Sequence, residues 1–108
     1  MESDTARLRE LARSLPEKPG IYFFLDSQRQ VLYIGKARSL SDRVKNYFLP
    51  TSDLKVLNIL AEAQDIDYIL TDTEREAAFL ENNFIQQHQP KFNERSVNYL
   101  TQLPPNAD

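Results

Sequence analysis

The chain has 108 residues, of which 41% are hydrophobic and 27% charged, with a net charge of −3. This is the composition of one soluble domain with a modest core. It contains no cysteine, which excludes disulfides, thiolate chemistry and Cys-ligated zinc. No apolar run approaches the roughly 18 residues of a membrane span. The charged start, Met1 to Arg13, lacks the apolar stretch of a signal peptide, and a reducing, cytoplasmic setting is expected.

Asp4 to Leu15 reads as an amphipathic helix with Ala6, Leu8, Leu11, Ala12 and Leu15 near helical spacing, ended by Pro16 and by Pro19-Gly20. Ile21–Leu25 is aromatic and β-branched, and reads as a strand. Asp26–Gln30 is a polar turn, and Val31–Ile34 is a second strand stopped by Gly35, so the two make a hairpin. Ser39, followed three residues later by Asp42, opens a helix with Leu40, Val44, Tyr47 and Phe48 on one side, closed by Pro50. Asp53 caps a third helix, Leu54 to Gln64, with Val56, Leu57, Leu60 and Ala61 on one face. Ile66–Leu70 alternates as a third strand. Thr73-Glu74-Arg75-Glu76 is a capping box for the longest helix, which runs to about His88 before Pro90. The order is helix, strand, strand, helix, helix, strand, helix, an α/β arrangement with about three core strands flanked by helices. Residues 1–95 read as one domain, and 96–108 as a polar tail, an added strand or partly disordered.

Charge is unevenly placed. Arg29, Lys36, Arg38, Arg43 and Lys45 stand against the single acid Asp42 between residues 29 and 45. Glu62, Asp65, Asp67, Asp72, Glu74, Glu76 and Glu81 stand against the single base Arg75 between 62 and 81. One stretch suits phosphate and the other a cation, or both are solvated surface.

Several side chains are candidates for chemistry. In the last helix, Ala77, Leu80, Phe84 and Ile85 form an apolar stripe, and Glu81 falls within it. A carboxylate on that side needs a cation, a salt-bridge partner or an open cleft. Tyr22 and Tyr33 fall on the two hairpin strands, where they either pack across strands or use their hydroxyls. A free phenol, with a pKa near 10, is a poor base at neutral pH, so a neighbouring cation such as Lys36 or a metal would have to help. Arg43 presents a planar fork matched to phosphate, or is a solvated helix arginine. Asn93 after Pro90 reads as a turn residue, and His88, the single histidine, as a helix-end residue rather than a zinc ligand.

Taken together, Gly20-Ile21-Tyr22, Tyr33-Ile34-Gly35 eleven residues from Tyr to Tyr, Lys36-Ala37, Arg43, Tyr47, Glu81 and Pro90-Lys91-Phe92-Asn93 resemble the GIY-YIG endonuclease superfamily over residues 8 to 95. The lead-in Leu15-Pro16-Glu17-Lys18-Pro19-Gly20 and the run Leu32 to Leu40 are similar to its DNA excision-repair branch. The resemblance implies a central three-stranded antiparallel sheet surrounded by helices. It implies hydrolysis of a DNA phosphodiester, a single-strand nick, with one divalent cation, Mg²⁺ or Mn²⁺. Glu81 would be the metal ligand and Arg43 would hold the scissile phosphate. Tyr22 and Tyr33 would position or deprotonate the attacking water, with either as the base. Lys36, Arg38, Lys45 and Tyr47 would support the site or bind DNA, and Asn93 would tie the last helix to it. Implied partners are DNA and a damage-recognition protein or further domains of a longer chain. The run Glu94 to Leu100 departs from the family pattern, implying an excised fragment or a stand-alone relative. A catalytically silent nucleic-acid- or protein-binding module on the same fold is the competing expectation.

Overall fold

A computed structural model describes residues 2–93, with side chains from Thr5 onward. The elements are α1 (Glu2–Arg13), β1 (Gly20–Leu25), β2 (Val31–Ala37), α2 (Leu40–Lys45) running into a 3-10 turn (Asn46–Phe48), α3 (Leu54–Glu62), β3 (Asp65–Leu70) and α4 (Glu74–His88). The element order matches the sequence reading. The tail expected from residue 96 lies outside the described residues. Among the described residues, no helix is long and apolar enough to cross a membrane.

The three strands form one antiparallel sheet in the order β2-β1-β3. β1 is central, which explains its near-continuous apolar run: Ile21, Tyr22, Phe23, Phe24 and Leu25 are all buried. Alternation divides it between two cores. Tyr22 and Phe24 face Leu8, Ala12 and Leu15, Leu40 and Val44 of α2, and Ile59 of α3. Ile21, Phe23 and Leu25 face Ala77, Leu80, Phe84 and Ile85 of α4. The sheet is therefore sandwiched between α1, α2 and α3 on one face and α4 on the other.

Capping follows the sequence. Asp53 accepts from the N–H groups of Lys55 and Val56, and Thr73 Oγ1 accepts from Glu76 N–H. The Glu76 carboxylate reaches back to Asp72 N–H, one residue before the cap. The first turn of α2 is held by the lead-in. Leu40 N–H donates to the Lys18 carbonyl and Ser41 N–H to the Pro16 carbonyl, at 3.0 and 3.1 Å. Those are donors that a helix cannot satisfy internally. Thr71 N–H donates to Pro19 O, so the same segment also fixes the end of β3.

Two local expectations change. Strand β2 does not stop at Gly35 but runs on to Ala37. Glycine is there for space: a Cβ at Gly35 would collide with Cζ and the hydroxyl of Tyr22, its partner across the ladder. Gly20 is confined in the same way by the Ile69 carbonyl and Leu40. In α3 the inward stripe is Val56, Ile59, Leu60 and Ala63, while Leu57 and Ala61 are exposed. Ile59 and Ala63 close over the Tyr22 core, and the chosen face is the one that reaches it.

Candidate active site

The hairpin register pairs Tyr22 with Gly35 and Phe24 with Tyr33, so Tyr22 and Tyr33 are diagonal neighbours on one face. Their ring centroids are 6.3 Å apart. Tyr47, from the 3-10 turn, completes a triangle, with its ring 5.8 Å from Tyr22 and 6.4 Å from Tyr33. The hydroxyls of Tyr22 and Tyr47 share a hydrogen bond of 2.8 Å. Tyr22 is fully buried, whereas Tyr33 and Tyr47 are half-buried.

Arg43 brings charge to this cluster. Its guanidinium lies beside the Tyr22 hydroxyl, which raises its pKa above the ordinary arginine value and fixes it as a cation. Burial, chiefly, raises the pKa of Tyr22, against the opposing effects of the Tyr47 hydrogen bond and Arg43. Tyr47 is raised further, again mainly by burial and then by Tyr22. Both phenols stay protonated at neutral pH.

Tyr33, Arg43, Asn46, Tyr47, Asp53, Lys55 and Val56 line an open cleft of about 280 Å³. Lys55, absent from the sequence reading, sits with its ammonium 5.0 Å from the centre of the Tyr33 ring. Lys36, expected to be the cation near Tyr33, is on the opposite face of the sheet. Residues three apart in a strand point to opposite sides. Lys36 pairs with Ile21 and, with Arg38, Glu74 and Ala77, lines a small crevice at the start of α4. No local sequence signal marks Lys55, because its place in the site comes from its contact with the distant Tyr33.

Glu81 lies on α4, one turn beyond Ala77, half-buried within the Leu80, Phe84 and Ile85 stripe. Among the described residues it makes no hydrogen bond or ion pair, so the salt-bridge explanation finds no partner. Asn93 is buried and grips the outer rim of β2. Its amide oxygen accepts from Ile34 N–H at 2.7 Å and its nitrogen donates to Ile34 O at 2.8 Å. Edge strand β2 thus carries Tyr33 towards one face, Lys36 towards the other, and Asn93 on its rim. Arg38 is ion-paired with Glu74 at 2.9 Å and Lys45 with Asp42 at 3.9 Å, all four exposed. The structure therefore gathers Tyr22, Tyr33, Arg43 and Tyr47. It sets Lys36 and Glu81 on the α4 side, and leaves Arg38 and Lys45 on the outer surface.

The three-stranded antiparallel sheet flanked by helices is the fold of a GIY-YIG nuclease domain. Residues 18–94 match the family model of the UvrC-like GIY-YIG domain. The chain belongs to that family. It is 49% identical over 88 residues to UvrABC system protein C of Solibacter usitatus, covering 80% of this chain and 14% of that protein. It is 46% identical over 90 residues to the protein of the same name from Symbiobacterium thermophilum, covering 82% and 14%. The chain thus spans about one seventh of the length of these relatives. Its structure is similar to the crystal structure of the GIY-YIG N-terminal endonuclease domain of UvrC from Thermotoga maritima, bound to its catalytic divalent cation, magnesium. The TM-score is 0.76 at 39% identity, covering 82% of this chain and 97% of that one. Variants of that Thermotoga domain with a single Tyr→Phe change at one of three positions, or an Asn→Ala change, are also bound to the cation.

Proposed function

We propose that this chain is the nicking module of a DNA excision-repair nuclease, hydrolysing one phosphodiester with one divalent cation held by Glu81. The observation that carries this reading is the Glu81 carboxylate, half-buried in an apolar stripe with no partner among the described residues. A half-buried carboxylate there is met either by solvent or by a cation, and the match to a magnesium-bound relative favours the cation. No group of three or more His, Cys, Asp or Glu capable of holding a metal exists among the described residues. That fits Mg²⁺ or Mn²⁺, which use one or two carboxylates and keep several waters, and does not fit a protein-caged ion. When bound, such an ion supplies Lewis acidity to the phosphate and leaving oxygen.

The chain's own groups divide the remaining work. Arg43, fixed as a cation, holds two phosphate oxygens with its fork and offsets the charge that grows on them. Lys55 adds a second positive charge to the same cleft. Tyr33 stands on edge strand β2 and is open to the cleft, so the scissile phosphate would lie across that edge, between the Arg43 face and the Glu81 face, with the Tyr33 hydroxyl oxygen accepting the water's proton as its own passes to solvent. Tyr22 is buried and acts through others: its hydroxyl holds Tyr47 and Arg43 in place. Lys36, Arg38 and Lys45 serve the DNA backbone, and Asn93 keeps β2 in register beneath Tyr33. The Thermotoga variants support a cation held by something other than these hydroxyls and amide, because single losses of a tyrosine hydroxyl or an asparagine amide leave that domain's cation in place. DNA, a damage-recognition protein and the remainder of a longer chain are the partners, in the cytoplasm.

The test is cleavage of nicked, flap and lesion-bearing DNA with Mg²⁺ or Mn²⁺, by the chain alone and fused to a DNA-binding domain. Cutting that disappears in Glu81→Gln, together with Mn²⁺ binding, is the expected result. Binding without any product from the parent chain would instead establish a silent binding module.

A further inference from the structure

The segment 46–49 has a recess on each flank. Asn46 and Tyr47 face the cleft that contains Tyr33. Phe48 and Leu49 form part of a second groove of about 230 Å³, completed by Arg9 and Arg13 of α1 and by Lys45 of α2. Every charged residue lining this groove is basic, in a chain of net charge −3. Arg9 and Arg13 are one turn apart on the same side of α1. The buried Leu8, Ala12 and Leu15 lock that helix, so the arginines cannot roll away from the groove.

The cations are available. Arg9 makes no ion pair among the described residues. Arg13 pairs with Glu10 at 3.2 Å and Lys45 with Asp42 at 3.9 Å, but all four groups are exposed. Exposed pairs are worth at most about 1 kcal/mol and exchange readily for another anion. The same groove is lined by half-buried Phe48 and by Leu49, 58% exposed, which adds aromatic and aliphatic surface beside the cations. Cations beside an aromatic and an aliphatic side chain match a nucleic-acid strand, with phosphates on the arginines and sugar or base faces on Phe48.

We propose that the α1–α2 groove is a second DNA site, which grips the backbone of the strand outside the scissile phosphate. This rests on the nuclease reading above, since the strand reaches the groove across the 3-10 turn that also walls the Tyr33 cleft.

The experiment is an NMR titration of the ¹⁵N-labelled 108-residue chain with a short single-stranded oligonucleotide, without divalent metal, at several salt concentrations. Amide shifts at Arg9, Arg13, Phe48 and Leu49 are expected to saturate together with those at Tyr33 and Arg43. The double variant Arg9→Ala/Arg13→Ala should bind about fivefold to tenfold more weakly. Its log–log salt slope should be shallower by about 1.4, two contacts at roughly 0.7 each. Its single-turnover cutting rate at saturating DNA should match the parent. Shifts confined to the Tyr33 cleft, or a double variant that binds like the parent at every salt concentration, would overturn the proposal. A parent chain that binds through the groove yet never cuts would refute the nuclease reading and leave the groove standing.

Discussion

A single side chain, Asn93, meets both backbone groups of Ile34, accepting from its N–H at 2.7 Å and donating to its carbonyl at 2.8 Å. The amide takes the place that a fourth strand would occupy on the rim of β2. Phe92 N–H adds one more rung, to Leu32 O at 2.9 Å.

Asn93→Ala strands that N–H and carbonyl in a buried setting, at about 1–3 kcal/mol for each unsatisfied group. The chain should lose about 2 kcal/mol or more in urea denaturation, and the Ile34 amide should exchange faster with solvent. Asn93→Asp keeps the acceptor but sets a carboxylate against the Ile34 carbonyl, so it should be worse than Ala at neutral pH. A loss of under about 0.5 kcal/mol for Ala would show that the rim is held by something else.

Gly35→Ala forces a methyl into the Tyr22 phenol. Overpacking of this kind costs about 1–3 kcal/mol. The phenol cannot retreat without giving up its hydroxyl contact to Tyr47, so cutting should fall along with stability. Thermal unfolding and a cleavage assay on the same sample check both. An Ala variant as stable as the parent would mean that the strands part more easily than the ladder implies.

Tyr22 and Tyr47 both have pKa values raised mainly by burial. The unfolded chain releases these protons near pH 10, whereas the folded chain still holds them. Their protonated state therefore contributes full stability below about pH 10, and stability falls as pH rises above it, by up to about 1.4 kcal/mol per pH unit for each proton retained. Denaturation curves recorded between about pH 9 and 11.5 should show this slope, shallower in Tyr22→Phe. A flat profile would mean that the two phenols ionise as freely in the fold as outside it.

Arg43→Ala should cost about 3 kcal/mol of transition-state stabilisation, roughly a hundredfold or more in rate. Lys cannot replace the planar fork, so Arg43→Lys should recover little. Lys55→Ala should act more weakly, about tenfold, and chiefly through KM, because an ammonium at the cleft mouth meets substrate and transition state alike. Steady-state kinetics on both variants separate the two roles.

Much of this was legible in the residues. Asp53 and Thr73 announce their helices and the run Ile21 to Leu25 its strand, while the division of that strand between two cores emerges only from the helices packed on each face. The apolar stripe that includes Glu81 is present as read. Other features depend on tertiary placement. Gly35 looks like a strand end, since only the ring of a residue on the neighbouring strand shows why glycine must stand inside it. The inward face of α3 shifts because the helix lies where Ile59 and Ala63, not Leu57 and Ala61, reach the core. Lys55 joins the site through a contact between residues 22 positions apart, which no local pattern encodes.

The segment before Gly20 has a practical meaning for anyone dividing the chain. The stretch that matches the family model begins at residue 18. The Pro16 carbonyl that holds Ser41, and the buried Leu8, Ala12 and Leu15, all come earlier. A fragment trimmed to the matched stretch would leave the Tyr22 side of the sheet partly uncovered and untie the start of the helix that carries Arg43. What is recognisable as the family and what folds as a unit have different borders, and a minimal active fragment has to be cut at the second.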